Sequence, residues 1–342
     1  MTVRHRATAT LLALLACTGA EATSFDCRQA RTPMERALCG NAELSRRDEH
    51  LAQTYQRALQ ALSPAGAAAL KTAQRSWLRH VQKVCTPAQA PQPHAADEPC
   101  LMNHLQDRIR ELDQAGVKLG ALTLTHVDDY ATRPAPPGDD TGSPGRVVTR
   151  HVGLLQFDGA VTPAVLAWNR AQAVADTPAV PQDGGDDTAD TDSDTFIGCA
   201  SERLLSVRST SYLYAHGAAH GASASTITTT LLSADMRPMT ASDLFASKSS
   251  WQAQLPTLFW QAHRRNPDAL NTAQAEQAIR AAAANERRWL ITPQGLQISM
   301  EIYEAGSYAE TPGPITVPWE VLKPLLIDKS APACTFSSLD RP

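Results

Sequence analysis

The sequence predicts a multi-domain chain in which an all-α, disulfide-stapled helical hairpin bundle is followed by an α+β domain with an antiparallel sheet. Three observations lead there. Cys27 and Cys39, then Cys85 and Cys100, bracket short stretches of chain, as bridges that staple helices do in an oxidising compartment. Between residues 33 and 112 apolar side chains recur at helical spacing. Beyond residue 146 the pattern changes to strand-like runs joined by short turns, with a few helices among them, which is how an antiparallel sheet packed on helices reads. A chain of 342 residues exceeds what one small core serves, so two domains are expected.

Residues 1–22 have the three parts of a secretory signal: Arg4, His5 and Arg6, the apolar run Leu11 to Cys17, and Ala20-Glu21-Ala22 before Thr23. Cleavage after Ala22 is the main expectation. The alternative is a lipoprotein signal, because Leu14-Leu15-Ala16-Cys17 is a loose lipobox and would leave Cys17 as an acylated N-terminus. Cys17 leaves the disulfide count either way. Six cysteines remain, which allow fifteen pairings. No later stretch approaches the roughly 20 apolar residues of a membrane span, so no transmembrane span is expected.

Thr32-Pro33-Met34-Glu35 joins a cap hydroxyl, a proline at the first helical position and a glutamate three residues after the cap, so a short helix should run from Pro33 to about Cys39. Leu44, Leu51, Tyr55, Leu59 and Leu62 share one helical stripe after an Asn41 cap, and Ser63-Pro64 ends that helix and opens the next. Leu70, Ala73, Trp77, Val81 and Val84 form the buried stripe of that next helix, while Lys71, Arg75, Arg79 and Lys83 recur every fourth residue on another face. Such a row is read as a solvated face, with an anionic surface such as peptidoglycan as its functional alternative. Four prolines make residues 86–99 a loop. Leu101, Leu105, Ile109 and Leu112 define a last helix that Gly116 terminates. Local closure pairs Cys85 with Cys100, a bridge worth about 3 kcal/mol for a loop of that length, and Cys27 with Cys39.

Residues 121–149 are read as a linker, because 131–145 are rich in Pro, Gly and Asp. Val147 to Phe157 reads as a strand, and Thr162-Pro163 opens a helix carrying Val165, Leu166 and Trp168. Seven acidic residues and no aromatic between 176 and 194 suggest a disordered acidic insertion. Asp190, Asp192 and Asp194 alternate like calcium ligands there, but the glycine and the glutamate of a calcium loop are missing at Thr195 and Ser201. Strands follow at 204–214 and 225–233, helices at 251–264 and 272–284, a hairpin from 289–291 to 296–303 across Pro293-Gln294-Gly295, a strand at 315–317 and a short helix at 318–326. Cys199 and Cys334 are the remaining pair.

Charge divides unevenly. Residues 23–120 carry 13 Lys+Arg against 10 Asp+Glu, whereas residues 121–342 carry 16 against 24. The acidic part favours encounter with a cationic partner and disfavours nucleic acid.

Two resemblances follow from motifs. Residues 27–113 resemble the N-terminal domain of the lysozyme inhibitor LprI, through the cysteine order, Glu35-Arg36-Ala37-Leu38-Cys39, Leu44, Asp48, Tyr55, Gln74-Arg75-Ser76-Trp77-Leu78 and Arg108-Ile109. Residues 150–327 resemble the C-terminal domain of the anti-sigma factor RsiV, an extracellular lysozyme sensor, through Tyr214-Ala215-His216-Gly217-Ala218-Ala219-His220-Gly221, Asp243-Leu244-Phe245, Ile302-Tyr303-Glu304-Ala305-Gly306-Ser307-Tyr308 and Ile315-Thr316-Val317-Pro318-Trp319. The resemblances imply a helical domain over 23–120, an α+β domain over 150–335, and a periplasmic or secreted protein that binds or inhibits lysozyme or another cell-wall-active protein. Tyr214, His216, Tyr303, Glu304, Ser307 and Tyr308 are the candidate contacts. The rival reading is a peptidoglycan-associated scaffold without lysozyme inhibition.

No catalytic residue is assigned. There is no G-x-S-x-G elbow, and paired cysteines leave no thiolate. Carboxylate pairs such as Glu301 with Glu304 or Glu310 are the kind to consider for glycan hydrolysis. His216 and His220 stand four apart, but in a Gly- and Ala-rich strand-to-turn segment where the pair would not converge, so neither metal nor cofactor is expected.

Overall fold

The computed structural model describes residues 23–86, 96–135, 147–159, 162–175 and 188–339. The expected signal peptide with Cys17, and residues 176–187 of the expected acidic insertion, lie outside the described residues.

Four helices open the chain, each started by the cap its sequence offers. In α1 (Pro33–Gly40) the Thr32 hydroxyl accepts the Glu35 N–H at 3.1 Å, and the Glu35 carboxylate accepts the Thr32 N–H at 2.8 Å. Asn41 caps α2 (Ala42–Ala61), Ser63 caps α3 (Pro64–Val84) and Asp97 caps α4 (Glu98–Gln114). The stripes meet as expected: Leu44, Leu51, Leu70, Trp77, Val81, Leu101, Leu105 and Leu112 are buried together. Disulfides join Cys27 to Cys39 and Cys85 to Cys100. Lys71, Arg75, Arg79 and Lys83 are all exposed.

Gly116 turns the chain at φ +83, a conformation that costs a side chain. A six-stranded sheet follows: β1 (Lys118–Leu119), β2 (Leu122–Pro134), β3 (Val147–Asp158), then α5 (Pro163–Ala175), then β4 (Ala189–Ala200), β5 (Leu204–Ala215) and β6 (Ala222–Leu231). The strands lie in chain order, and every neighbouring pair is antiparallel except β3 with β4, which the α5 crossover makes parallel. Leu124, Leu155, Phe157, Val165, Trp168, Ile197, Leu205 and Val207 form its core.

Two expectations fail here for one reason. Residues 122–134 are not linker but β2, paired with β3 along its whole length. Residues 189–194 are not disordered insertion but the start of β4, paired with β5. Both stretches place polar and charged side chains inward, His126 and Asp128 on β2 and Asp194 on β4. Burial against partner charges leaves no apolar alternation to read.

The last part contains α6 (Ala241–Leu244), α7 (Trp251–His263), α8 (Ala273–Ala284), a three-stranded sheet of β7 (Leu290–Ile291), β8 (Gly295–Ile298) and β9 (Ile315–Pro318), and α9 (Trp319–Leu322). The expected hairpin forms, but its second arm ends at Ile298 rather than Tyr303; the chain turns after residue 301, and Tyr303 adopts a left-handed φ of +69. Phe245, Phe259, Ile279, Trp289, Leu296, Val317 and Trp319 are buried here. The small sheet abuts the large one where the Ile291 N–H donates to Ser206 Oγ at 3.0 Å, and a Cβ on Gly198 would fall 2.5 Å from the Ile291 carbonyl oxygen. Among the described residues no helix is long and apolar enough to cross a membrane.

Cys199 on β4 is bonded to Cys334, 135 residues away. Replacing both by alanine releases the longest covalent loop and should cost roughly 3–5 kcal/mol. A denaturant titration checks this through the unfolding midpoint; an unchanged midpoint would show that the bridge contributes nothing.

Candidate functional site

The six residues singled out in the sequence separate into an exposed group and a structural group. The β5–β6 turn carries His216 and His220. The His216 side chain has no exposed surface, and its Nε2 lies 3.0 Å from Asp190 Oδ2 on β4, so it ties the turn to the sheet. His220 has different partners: Nδ1 donates to the Gly221 carbonyl at 3.0 Å, which leaves Nε2 to accept the Tyr303 hydroxyl at 2.6 Å. The two histidines do not converge on a common point of bonding. Gly221 is required because a Cβ there would meet the Tyr212 ring at 2.4 Å.

Tyr303 and Tyr308 reach the same spot from the segment after β8. The Tyr308 ring stacks on His220 with centroids 4.4 Å apart, and Tyr303 lies 5.8 Å from His220. Tyr303 and Tyr308 are 52% and 42% exposed. Glu304 points away from this surface into its support: its carboxylate pairs with Arg288 at 2.9 Å and accepts the Glu301 N–H at 2.8 Å. Ser307 begins a short 3-10 turn, Tyr308–Glu310, in which Glu310 accepts the Ser307 N–H at 2.9 Å. These bonds hold Tyr303 in a backbone region that disfavours a side chain by about 1–3 kcal/mol. The half-buried Tyr214 stands beside His216, at 6.3 Å. Glu301 accepts the Ser225 hydroxyl at 2.8 Å, so each of the three carboxylates weighed for glycan chemistry is engaged within the fold.

A second site, which the sequence did not reveal, lies where α3 and α4 rest on β2, β3 and β4. Arg108 of α4 is wholly buried, and its Nη1 donates to Glu111 at 2.8 Å and to Asp128 of β2. Its Nε donates to Gln74 of α3 at 2.9 Å. Asp128 also bonds His126 Nδ1 at 2.7 Å, and His126 Nε2 lies 3.1 Å from Asp194. His151 of β3 bonds Asp192 through Nδ1 at 2.7 Å, and the Tyr130 ring stacks on it at 4.1 Å. The three alternating aspartates of β4 therefore each face a histidine: Asp190 with His216, Asp192 with His151, Asp194 with His126. Their spacing is that of one strand face rather than of a calcium loop.

The charges reshape one another. Burial pushes Asp128 upward, but His126 and Arg108 hold its carboxyl well below the ordinary range. Burial and Asp128 raise Glu111, against the pull of Arg108. Burial would lower His126, but Asp128 and Asp194 push it up to about 10. His80, facing the same seam, is drawn down to about 4 by burial, with His104 and His151 adding repulsion. A cleft of about 280 Å³ opens onto this cluster, lined in part by His104, Glu111, Tyr130, His151 and Asp192.

Residues 27–112 match the family described as lysozyme inhibitor LprI. The match covers the helical part of the chain. Residues 242–320 match DUF3298, a family described as a protein of unknown function. Two solved members of the DUF3298 family are similar. One, from Bacteroides fragilis NCTC 9343, is 17% identical over 61% of this chain and 95% of its own, with a TM-score of 0.40. The other, from Pseudomonas aeruginosa PAO1, is 14% identical over 63% of this chain and 98% of its own, with a TM-score of 0.42. No curated protein matches the chain. Tyr303, Glu304, Ser307 and Tyr308 fall inside the DUF3298 segment, and Tyr214, His216 and His220 before it.

The buried histidines impose a pH optimum. The unfolded chain protonates His80 near 6.5, the folded protein only near 4, so stability falls as pH drops from about 6.5 to 4. His126 stays protonated in the folded protein up to about 10, so its contribution is complete below about 6.5 and fades as pH rises toward 10. Denaturant titrations across pH should show a maximum near 6.5. His126→Gln should flatten the alkaline side; an alkaline limb as steep in that variant as in the parent would contradict the assignment.

Proposed function

We propose that this chain is an extracytoplasmic binding protein that engages lysozyme, or another cationic wall-active protein, and does no chemistry of its own. The LprI match carries the reading. Three disulfides support it, since such bridges belong to an oxidising compartment outside the cytosol. The contact proposed is the surface formed by Tyr303, Tyr308 and His220. Exposed tyrosines bring large contact area at a small entropy cost, and here both rings are already fixed. An acidic chain beyond residue 120 suits a cationic partner, because opposite fields raise the encounter rate. Hen-type lysozymes cut glycans with two carboxylates in a cleft, and the exposed tyrosine pair is the contact proposed to meet it. Glu304, Ser307, His216 and Tyr214 serve this surface by holding its backbone and its flanking turn.

The test is a cell-wall turbidity assay with added hen-type lysozyme. The protein should slow clearing, and Tyr303→Ala with Tyr308→Ala should weaken binding by roughly tenfold or more, the loss expected for an aromatic anchor. Retention on insoluble wall material without any effect on lysozyme would favour the scaffold reading, with the exposed Lys71, Arg75, Arg79 and Lys83 row as its face. Clearing by the protein alone would overturn both.

A further inference from the structure

We propose that Glu111, Asp128 and His151 form a binding site for a divalent cation of the Zn²⁺ class at the seam between the helical part and the sheet. The three residues come from α4, β2 and β3, all are buried, and one ligand atom from each lies within 4.8 Å of the others. His151 Nε2 is buried and makes no hydrogen bond. It points at Asp128 Oδ1, 3.5 Å away, and at Glu111 Oε1, 4.0 Å away. Those separations are long for hydrogen bonds but close to the edge of a ligand tetrahedron, about 3.3–3.4 Å when each ligand lies roughly 2.0–2.1 Å from the metal.

The surroundings have what such a site needs. Asp192 grips His151 Nδ1 at 2.7 Å, fixing the tautomer that presents Nε2, as carboxylates do behind metal-bound histidines. Tyr130 stacks on the ring and holds its plane. Gly153 leaves room for it: a Cβ there would lie 3.2 Å from His151 Cε1 and 2.7 Å from Asp194 Oδ1. Arg108 occupies Asp128 Oδ2 and Glu111 Oε2, so the opposite oxygens face the gap. Those two also accept His126 Nδ1 and the Tyr130 hydroxyl, each at 2.7 Å, and a carboxylate oxygen has a second lone pair to give. One imidazole with two carboxylate oxygens is a borderline donor set suited to Zn²⁺, and the cleft gives water access to a fourth position.

The experiment is calorimetric titration of the full chain, freed of metal by a chelator, with Zn²⁺ at pH 7. The expected result is one ion per chain. His151→Gln should weaken binding at least tenfold. Asp192→Asn should do so by 10- to 100-fold, and because the Asp192 side chain is 56% exposed this variant decides the matter if His151→Gln fails to fold. No saturable binding up to millimolar Zn²⁺, or binding undiminished in Asp192→Asn, would overturn the site.

Discussion

The structure turns on one buried charge. Arg108 has no exposed surface, and a guanidinium taken out of water costs several kcal/mol unless its partners are supplied. Those partners come from three places: Gln74 on α3, Glu111 on its own helix, and Asp128 on β2. The helical part alone can offer only two of them. The helical part and the sheet are thus held in a fixed relation by electrostatic need, not by a covering of apolar side chains alone. Ser63 adds a second tie, its N–H and hydroxyl both donating to Asp158 at the end of β3, at 2.6 and 2.7 Å.

The same charge explains which parts of the fold were legible. Helices α1 to α4 could be read because caps and stripes are local: Thr32, Asn41 and Ser63 start their helices by bonding groups two or three residues away. The two disulfides of the helical part followed from proximity for the same reason, and Cys199–Cys334 as the pair that remained. Strand β2 and the first residues of β4 could not be read, since their inward side chains are His126, Asp128 and Asp194, which bond one another across the sheet and reach Arg108 on α4. A stretch of aspartates looks like solvent-exposed chain until the histidines that face it are known. The left-handed Tyr303 was equally hidden, because its cause is a web of bonds among Arg288, Glu301 and Glu304.

The candidate surface shows a similar division. Tyr303 and Tyr308, named from the motifs, stand exposed together. Glu304, Ser307 and His216 of the same motifs bond within the fold instead. His220, read from sequence as a turn residue, is the link that joins the two segments through Tyr303 and Tyr308.

Native-state hydrogen exchange measures the central constraint directly. If Arg108 couples α4 to β2, the slowest amides of Leu105 to Leu112 and of Leu124 to Asp128 open with the same free energy, and Asp128→Asn lowers both together. Full protection of the α4 amides in that variant, with loss confined to β2, would contradict the coupling.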